Sequence, residues 1–187
     1  MANTTSTQDT RALSLNGEWE FRQAGTELWH KATVPGCNFT DLMTAGLIDD
    51  PFYRDNESKL QWIEKEDWQY RKTVVLDDTF LSAPRIQLVA EGLDTFCDIS
   101  INGQPLASTD NMFVGHRIDA KELLRIGENY IDITFRSPIL ETMPRYKAAG
   151  YAYPAENDKS EEKLSVYCRK APCHFGWDWG PRFVTSG

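Results

Sequence analysis

The sequence predicts an all-β fold, a β-sandwich with one or two short helices. Apolar and polar residues alternate over many short segments, as they do in strands that bury one face. Asn102-Gly103 directly follows one such segment and favours a tight hairpin turn. Helical periodicity is scarce along the chain. About seven or eight short strands are expected, which is enough for a sandwich or a barrel.

The strands are predicted in order along the chain. Segment 17–22 places Trp19 and Phe21 on one face, and segment 67–77 alternates in the same way from Trp68 onward. Residues two positions apart share a face of a strand, so these aromatic residues are candidates for the core. The other predicted strands are 86–90, 97–101, 131–135 and 164–168, with 182–185 as a candidate for a last strand.

Two segments predict short helices. Segment 39–47 follows Asn38, which is a candidate N-cap together with Thr40. Segment 119–126 mixes apolar and charged residues. It is followed by Gly127, and glycine commonly ends helices. Both helices are expected to be brief connections between strands.

Two long stretches, 35–66 and 137–163, show no strand pattern. The first is rich in aromatic and apolar residues and is expected to pack, because disordered loops lack such residues. The second contains the charge run 156–163 and is expected to be partly mobile and solvated. We expect residues 1–12 to form a flexible tail and residues 13–187 to form one domain.

The composition is that of a globular chain and excludes several classes of partner. The 187 residues carry a net charge of −8, and 41% of them are hydrophobic. The negative balance argues against nucleic-acid binding, which needs a basic face. The apolar runs are only a few residues long, so no membrane span is expected. The polar amino terminus lacks the apolar centre of a signal peptide, which predicts a cytoplasmic protein.

The cysteines give little support for a metal site. The chain has four of them, none in a C-x-x-C pair, and small buried side chains are their usual role. Cys168, Cys173 and His174 form the one cluster that resembles metal ligands, but zinc sites normally use closer pairs and a fourth ligand. We expect no metal and no cofactor.

The most specific motif is HFGWDWGP, in which Trp177 and Trp179 flank Asp178. An indole face can cover the apolar C–H patch of a pyranose, and a carboxylate can accept hydrogen bonds from two neighbouring hydroxyls. Aromatic walls with a few placed polar groups are the usual pattern of a small-ligand site. The alternative is that both indoles are core residues and that Asp178 caps a turn, since aromatic residues mostly serve packing.

A second candidate is the segment 53–62, where Asn56 and Glu57 lie on an aromatic loop. They fit ligand or domain contacts, or else a turn with a solvated carboxylate. The sequence marks no catalytic residue: glycosidic hydrolysis usually needs two carboxylates at a set separation, and nothing distinguishes one pair among the 28 acidic residues. The sequence also lacks the G-x-S-x-G, phosphate-loop and H-E-x-x-H motifs.

The order of these motifs resembles the amino-terminal domain of β-mannosidases, in family 2 of the glycoside hydrolases. The G-W-D-W-G-P string is the most specific part of the resemblance, which covers nearly the whole chain from Leu13. The matching segments are 13–21, 34–72, 91–103, 111–113, 127–138 and 169–182.

The resemblance implies a jelly-roll β-sandwich of the galactose-binding type. It also implies that Asp178 binds hydroxyls of the terminal sugar, that Trp177 and Trp179 line the pocket, and that Asn56 lies near the same region. In the family, an immunoglobulin-like domain and a (β/α)₈ barrel follow, and the barrel carries both catalytic glutamates. This chain contains neither domain, so we expect a domain that is inactive alone.

The function expected from the resemblance is a set of substrate contacts for retaining hydrolysis of terminal β-D-mannosyl residues. The expected partners are a terminal β-mannoside and the protein's own downstream catalytic domains. Three alternatives remain open: a stand-alone carbohydrate-binding module, a domain of an exo-β-glucosaminidase or β-galactosidase-like member of the family, and a structural docking domain whose tryptophans pack against a neighbour.

Overall fold

The computed structural model describes residues 11–187. Most of the predicted 1–12 tail lies outside the described residues. Within them the chain forms eight strands, and the all-β prediction is confirmed. The strands are β1 (Gly17–Gln23), β2 (His30–Val34), β3 (Trp68–Leu76), β4 (Gln87–Ala90), β5 (Phe96–Ile101), β6 (Gln104–Asp110), β7 (His116–Asp119) and β8 (Gly127–Phe135).

Six strands form one antiparallel sheet in the order β2-β1-β3-β8-β5-β6, and β4 pairs with β7 in a second sheet. The register places Phe21 opposite Tyr70, and Tyr70 opposite Ile133. Phe21 and Tyr70 belong to the main core, against which Ile133 of β8, Leu88 of β4 and Ile118 of β7 pack. The two sheets therefore share one core, as in a β-sandwich.

The predicted hairpin and the alternation in the central strands are confirmed. Asn102 and Gly103 both have positive φ, 53° and 78°, as the two central residues of a type I′ turn require. Trp19, Phe21 and Trp68 are buried, as the two-residue period predicts. Strands β2 and β7 were not predicted, and β6 was implied only by the hairpin turn. The pattern of β2 is weak, because only Ala32 in its middle is buried.

The structure has more helix than the one or two short helices that the sequence predicts. Segment 39–47 forms a helix as predicted, although Cys37 is its N-cap, and segment 119–126 shortens to a 3₁₀ turn. The helices are α1 (Asn38–Thr44), α2 (Asn56–Lys59), α3 (Asp78–Leu81) and α4 (Pro138–Ala149), with 3₁₀ helices at Ile63–Lys65, Lys121–Leu123, Leu164–Tyr167 and Pro172–Phe175.

The strand predicted at 164–168 is wrong. Leu164 is buried whereas Val166 is 45% exposed, so the two residues do not share a face, and the segment forms a 3₁₀ helix. The strand predicted at 182–185 is also wrong. Just after this segment, the Ser186 N–H donates to Asn38 Oδ1 and its carbonyl oxygen accepts from the Asn38 N–H, while Gly187 and Asp94 exchange two backbone hydrogen bonds; neither partner lies in a strand.

A second, smaller core lies beneath the carboxy-terminal part of the chain. It consists of Ile139 of α4 together with Leu164, Phe175 and Val184. The long stretch 137–163 contributes α4 to it, so the first half of that stretch is ordered by packing. No helix among residues 11–187 is long and apolar enough to cross a bilayer.

Candidate functional site

Residues 174–181, here called the site segment, begin at a fixed point in the second core. Phe175 is fully buried at the end of a 3₁₀ helix. Gly176 follows with a φ of 128°, and a Cβ at this position would lie 2.5 Å from the carbonyl oxygen of Asn157. Only glycine fits both the backbone conformation and the space. The chain can therefore leave the core abruptly and expose the next three residues.

The three predicted site residues Trp177, Asp178 and Trp179 form the exposed tip of this segment. Trp177 is 40% exposed, Trp179 is 84% exposed and Asp178 is exposed as well. The two indole rings meet edge to face, with centroids 6.1 Å apart. The alternative that both indoles are core residues is wrong, because both are exposed and neither belongs to the main or the second core.

Arg182 holds the other end of the site segment with buried hydrogen bonds. Its guanidinium donates to Glu64 Oε1 at 2.9 Å, to Asp158 Oδ1 at 2.8 Å and to the carbonyl oxygen of Phe175 at 3.2 Å. All three charged side chains are buried. We call Arg182, Glu64 and Asp158 the arginine clamp. A single guanidinium thereby joins the two ends of the site segment. It can do so because it carries five N–H donors in a fixed geometry.

The two carboxylates of the arginine clamp respond differently to their surroundings. Burial raises the pKa of Glu64 above its usual value, despite the hydrogen bond from Arg182. Burial acts in the same direction on Asp158, but hydrogen bonds from the Ser160 side chain and from Ser160 and Ser165 backbone groups outweigh it, so the pKa of Asp158 lies below its usual value. Both carboxylates are bonded to the buried Arg182, and this pairing fixes the position of the guanidinium.

The predicted loop with Asn56 and Glu57 meets the site segment through Glu57. Glu57 Oε1 accepts a hydrogen bond from the backbone N–H of Arg182 at 2.7 Å, and Gln61 Nε2 donates to the carbonyl oxygen of the same residue at 3.0 Å. Asn56 itself is buried, and its Nδ2 donates to the carbonyl oxygen of Asp50. The structure thus brings the two sequence motifs together, with Glu57 rather than Asn56 making the contact.

A second buried cluster holds the start of the site segment. Lys170 is fully buried, pairs with Asp94 and donates to the carbonyl oxygen of Thr185 at 2.7 Å. His174 Nδ1 lies 2.9 Å from Thr185 Oγ1 and 3.9 Å from Asp94. Burial lowers the pKa of His174, and the charge of Lys170 lowers it further. The imidazole is accordingly neutral near pH 7.

The cysteines near the site are not arranged as metal ligands. Within residues 11–187, no group of three or more His, Cys, Asp or Glu side chains is placed to hold a metal ion. Burial raises the pKa of Cys168 to about 11, which keeps its thiol protonated. Cys173 is exposed.

Sequence reasoning missed the residues that hold the site segment in place. Arg182, Glu64, Asp158 and Lys170 are charged side chains of common types, and no local motif marks them. Their partners are far apart in the chain, so only the fold brings them together. The one local signal is that Arg182 directly follows the G-W-D-W-G-P string.

Residues 19–187 match the family model described as "Glycosyl hydrolase 2 galactose-binding domain-like". The chain belongs to this family. The membership predicted from the sequence motifs is confirmed, and with it the β-sandwich of the galactose-binding type that the glycosyl hydrolase 2 family implies.

Proteins similar to this chain include β-mannosidases from animals and fungi. The Bos taurus β-mannosidase is 33% identical over 180 residues, which cover 94% of this chain and 20% of that protein. β-Mannosidase B of Emericella nidulans is 35% identical over 184 residues, covering 92% of this chain and 21% of that protein. The chain thus spans about a fifth of the length of these curated relatives.

The solved structure of the β-D-mannosidase from Dictyoglomus thermophilum superposes with a TM-score of 0.86 at 45% identity. It covers 94% of this chain, and the chain covers 21% of it. The Amycolatopsis orientalis exo-chitosanase has a TM-score of 0.57 at 19% identity over 64% of this chain and 16% of its own, a likeness of fold alone.

Proposed function

We propose that this chain is the amino-terminal domain of a longer β-mannosidase-type glycoside hydrolase. In that protein the domain contributes one wall of the pocket that binds the terminal β-D-mannosyl residue. The downstream catalytic domains supply the two glutamates of a retaining mechanism. The similarity to β-mannosidases over 94% of the chain, at about a fifth of their length, supports this assignment.

The observation that carries the proposal is the exposed tip of the site segment on a firmly held base, by which we mean the arginine clamp together with the buried pair Lys170 and Asp94. Two indoles and a carboxylate project from a segment fixed by buried charges at both ends. A side chain that packs in no core of its own domain is available to a ligand, and a rigid base keeps it in position. Aromatic walls with one carboxylate suit a pyranose.

Each tip residue has a specific role in the proposal. Asp178 accepts hydrogen bonds from two neighbouring hydroxyls of the terminal sugar. Trp177 and Trp179 cover its apolar C–H face and exclude water from that side. Asn56 supports the loop whose Glu57 fixes the end of the site segment, so its contribution to sugar binding is indirect.

The isolated chain is proposed to be inactive as a hydrolase. The carboxylates beside the site segment, Glu64 and Asp158, are both bonded to Arg182 and are buried from solvent. Hydrolysis needs one carboxyl group that donates a proton and a second that attacks the sugar or activates water. Those groups must come from the downstream domains.

A domain exchange tests the proposal. This chain replaces the matching fifth of the Dictyoglomus thermophilum β-mannosidase, which gives a chimera; the same enzyme without that segment is the control. We expect the chimera to hydrolyse an aryl β-mannoside and the truncated control and the isolated chain to be inactive. A chimera that folds, as judged by a cooperative thermal transition, yet shows no turnover contradicts the proposal.

The stand-alone carbohydrate-binding module is the second candidate, because the same exposed indoles fit it. Titration of the isolated chain with mannose separates the two. One wall of a pocket buries little ligand surface, so we expect binding too weak to saturate at millimolar sugar. Saturable binding that Trp177→Ala abolishes would favour the module instead.

A further inference from the structure

Four tyrosines form a contiguous cluster beside the site segment. The rings of Tyr151 and Tyr153 are 4.6 Å apart, Tyr153 meets Tyr167 at 5.6 Å, and Tyr167 meets Tyr146 at 6.2 Å. We call these residues the tyrosine cluster. The last two contacts are edge to face, the geometry that aromatic quadrupoles favour.

The cluster has an inner half that packs and an outer half that does not. Tyr146 and Tyr167 lie against the second core, the core that also holds Phe175 at the start of the site segment. Tyr151 and Tyr153 are 59% and 40% exposed. The outer pair thus resembles the tip of the site segment, because its aromatic rings face solvent from a support in the same core.

The chain connects the two exposed surfaces over a short distance. Lys159 donates its backbone N–H to the carbonyl oxygen of Phe175 at 3.1 Å and its Nζ to that of Gly180 at 2.8 Å. Asn157 lies against Gly176. Tyr153 is four residues before Asn157, so their Cα atoms are at most about 14 Å apart. The tyrosine pair and the tip therefore extend from supports in the same small core, and the contact of Asn157 with Gly176 links the two chain segments.

The chemistry of the outer pair suits a sugar ring. Each tyrosine has an apolar ring face and a hydroxyl that both donates and accepts. The hydroxyls of Tyr151 and Tyr153 are hydrogen-bonded to each other, which leaves one proton and further lone pairs for a ligand. A pyranose offers an apolar C–H face and hydroxyls at its edge.

We propose that Tyr151 and Tyr153 bind the sugar unit next to the terminal residue, on its reducing side. This rests on the proposed function, since it assumes that the tip holds the terminal unit. It names the substrate class as β-linked manno-oligosaccharides, in preference to small aglycones that end before the tyrosines.

Kinetics on two substrates test the subsite in the chimera. For Tyr151→Ala/Tyr153→Ala, we expect kcat/KM on β-1,4-mannotriose to fall about tenfold, the cost of losing two stacking rings. With β-mannosyl fluoride, whose leaving group is a single atom that does not reach the tyrosines, it should stay within about twofold. Tyr130→Ala, on the outward face of β8, is the matched control and should change neither value. An equal loss on both substrates, as from a damaged interface with the catalytic domain, overturns the proposal, as does no loss.

A pair of phenylalanine substitutions separates the contribution of ring stacking from that of the tyrosine hydroxyls. Tyr151→Phe/Tyr153→Phe keeps the rings, so we expect it to recover most of the loss on the trisaccharide if stacking dominates. A loss equal to that of the alanine pair overturns the stacking role of the rings.

An NMR titration of the isolated chain decides the subsite even if the chimera is inactive. On adding mannotriose we expect the ring resonances of Tyr151 and Tyr153 to shift and those of Tyr130 to stay. If the Tyr151 and Tyr153 resonances shift but the chimera is inactive, the contact between the tyrosines and the sugar is supported and the proposed function is not. Unmoved Tyr151 and Tyr153 resonances at the solubility limit of the sugar overturn the subsite.

Discussion

The base and the tip of the site segment differ in their surroundings: the side chains of the base are buried and bonded within the domain, whereas those of the tip face solvent. At the base, Arg182 is buried and bonded to Glu64 and Asp158, whereas at the tip Trp179 is 84% exposed. Buried ion pairs contribute little net stability, because desolvation offsets the attraction of the charges. Their strict geometry does fix the direction of the chain. The buried charges of the arginine clamp thus orient the tip residues, which contribute nothing to the core of the domain.

The largest expected effect on the free energy of unfolding comes from a substitution that disrupts the base of the site segment. Arg182→Met keeps much of the side-chain volume but leaves Glu64 and Asp158 buried without their cation. We expect the free energy of unfolding to fall by about 3–5 kcal/mol. Urea denaturation followed by circular dichroism measures it.

The matched control for this variant is an exposed ion pair. Arg85 and Asp119 are bonded at 3.2 Å, with side chains 66% and 56% exposed. Arg85→Met should lower the free energy of unfolding by less than about 1 kcal/mol. If the two variants lose the same amount, the arginine clamp is not the special feature of the base that we describe.

A smaller effect is expected from pH at the start of the site segment. Burial and then the charge of Lys170 lower the pKa of His174. In the unfolded chain the imidazole takes up a proton near pH 6.5. In the folded chain it does so at lower pH, so below about pH 6.5 the unfolded state binds more protons. The free energy of unfolding therefore falls as the pH falls through this window.

His174→Gln should remove this contribution. The free energies of unfolding of the variant and the unmodified chain are compared between pH 7 and pH 5. We expect the slope of the variant to be shallower by up to about 1.4 kcal/mol per pH unit, the limit for one proton. Groups common to both proteins, including Glu64, cancel in the difference. Identical slopes would mean that His174 is not shielded in the folded chain.

The smallest effect is expected at the tip. Trp179→Ala should change the free energy of unfolding by less than about 0.5 kcal/mol, because the indole is mostly in solvent. Trp68→Ala is the matched control: Trp68 is 2% exposed in the main core, and its loss should cost about 3–5 kcal/mol. A large loss from Trp179→Ala would show that the tip packs within the domain after all.

Local patterns predicted much of the sheet and the exposed motif, because both depend on near neighbours. Alternation identified β1 and β3 and their buried aromatic residues, and Asn102-Gly103 identified the hairpin. At 164–168 the alternation of apolar and polar residues predicted a strand wrongly. No neighbouring strand pairs with this segment, which forms a 3₁₀ helix.

Helix α4 shows what local signals could have added. Ser137 caps it, since its Oγ accepts a hydrogen bond from the Leu140 N–H, Pro138 begins it, and Gly150 follows it with a φ of 72°. These are ordinary start and stop signals. Pro144 inside the helix concealed them, because proline usually breaks a helix.

The base of the site segment could not be predicted from local patterns. Arg182 reaches Glu64 across 118 positions and Asp158 across 24. Lys170 reaches Asp94 across 76. Pairings at such separations depend on the whole fold, and any of the 28 acidic residues could have been the partner.

The most direct test of the central claim is the effect of Asp178→Asn on kcat/KM of the chimera with an aryl β-mannoside. The amide keeps the size of the side chain but loses the charge that strengthens hydrogen bonds from sugar hydroxyls. We expect kcat/KM to fall about a hundredfold, equivalent to roughly 3 kcal/mol, with an unchanged thermal transition. Unchanged kcat/KM would contradict the account and would leave the tip as a surface for domain packing.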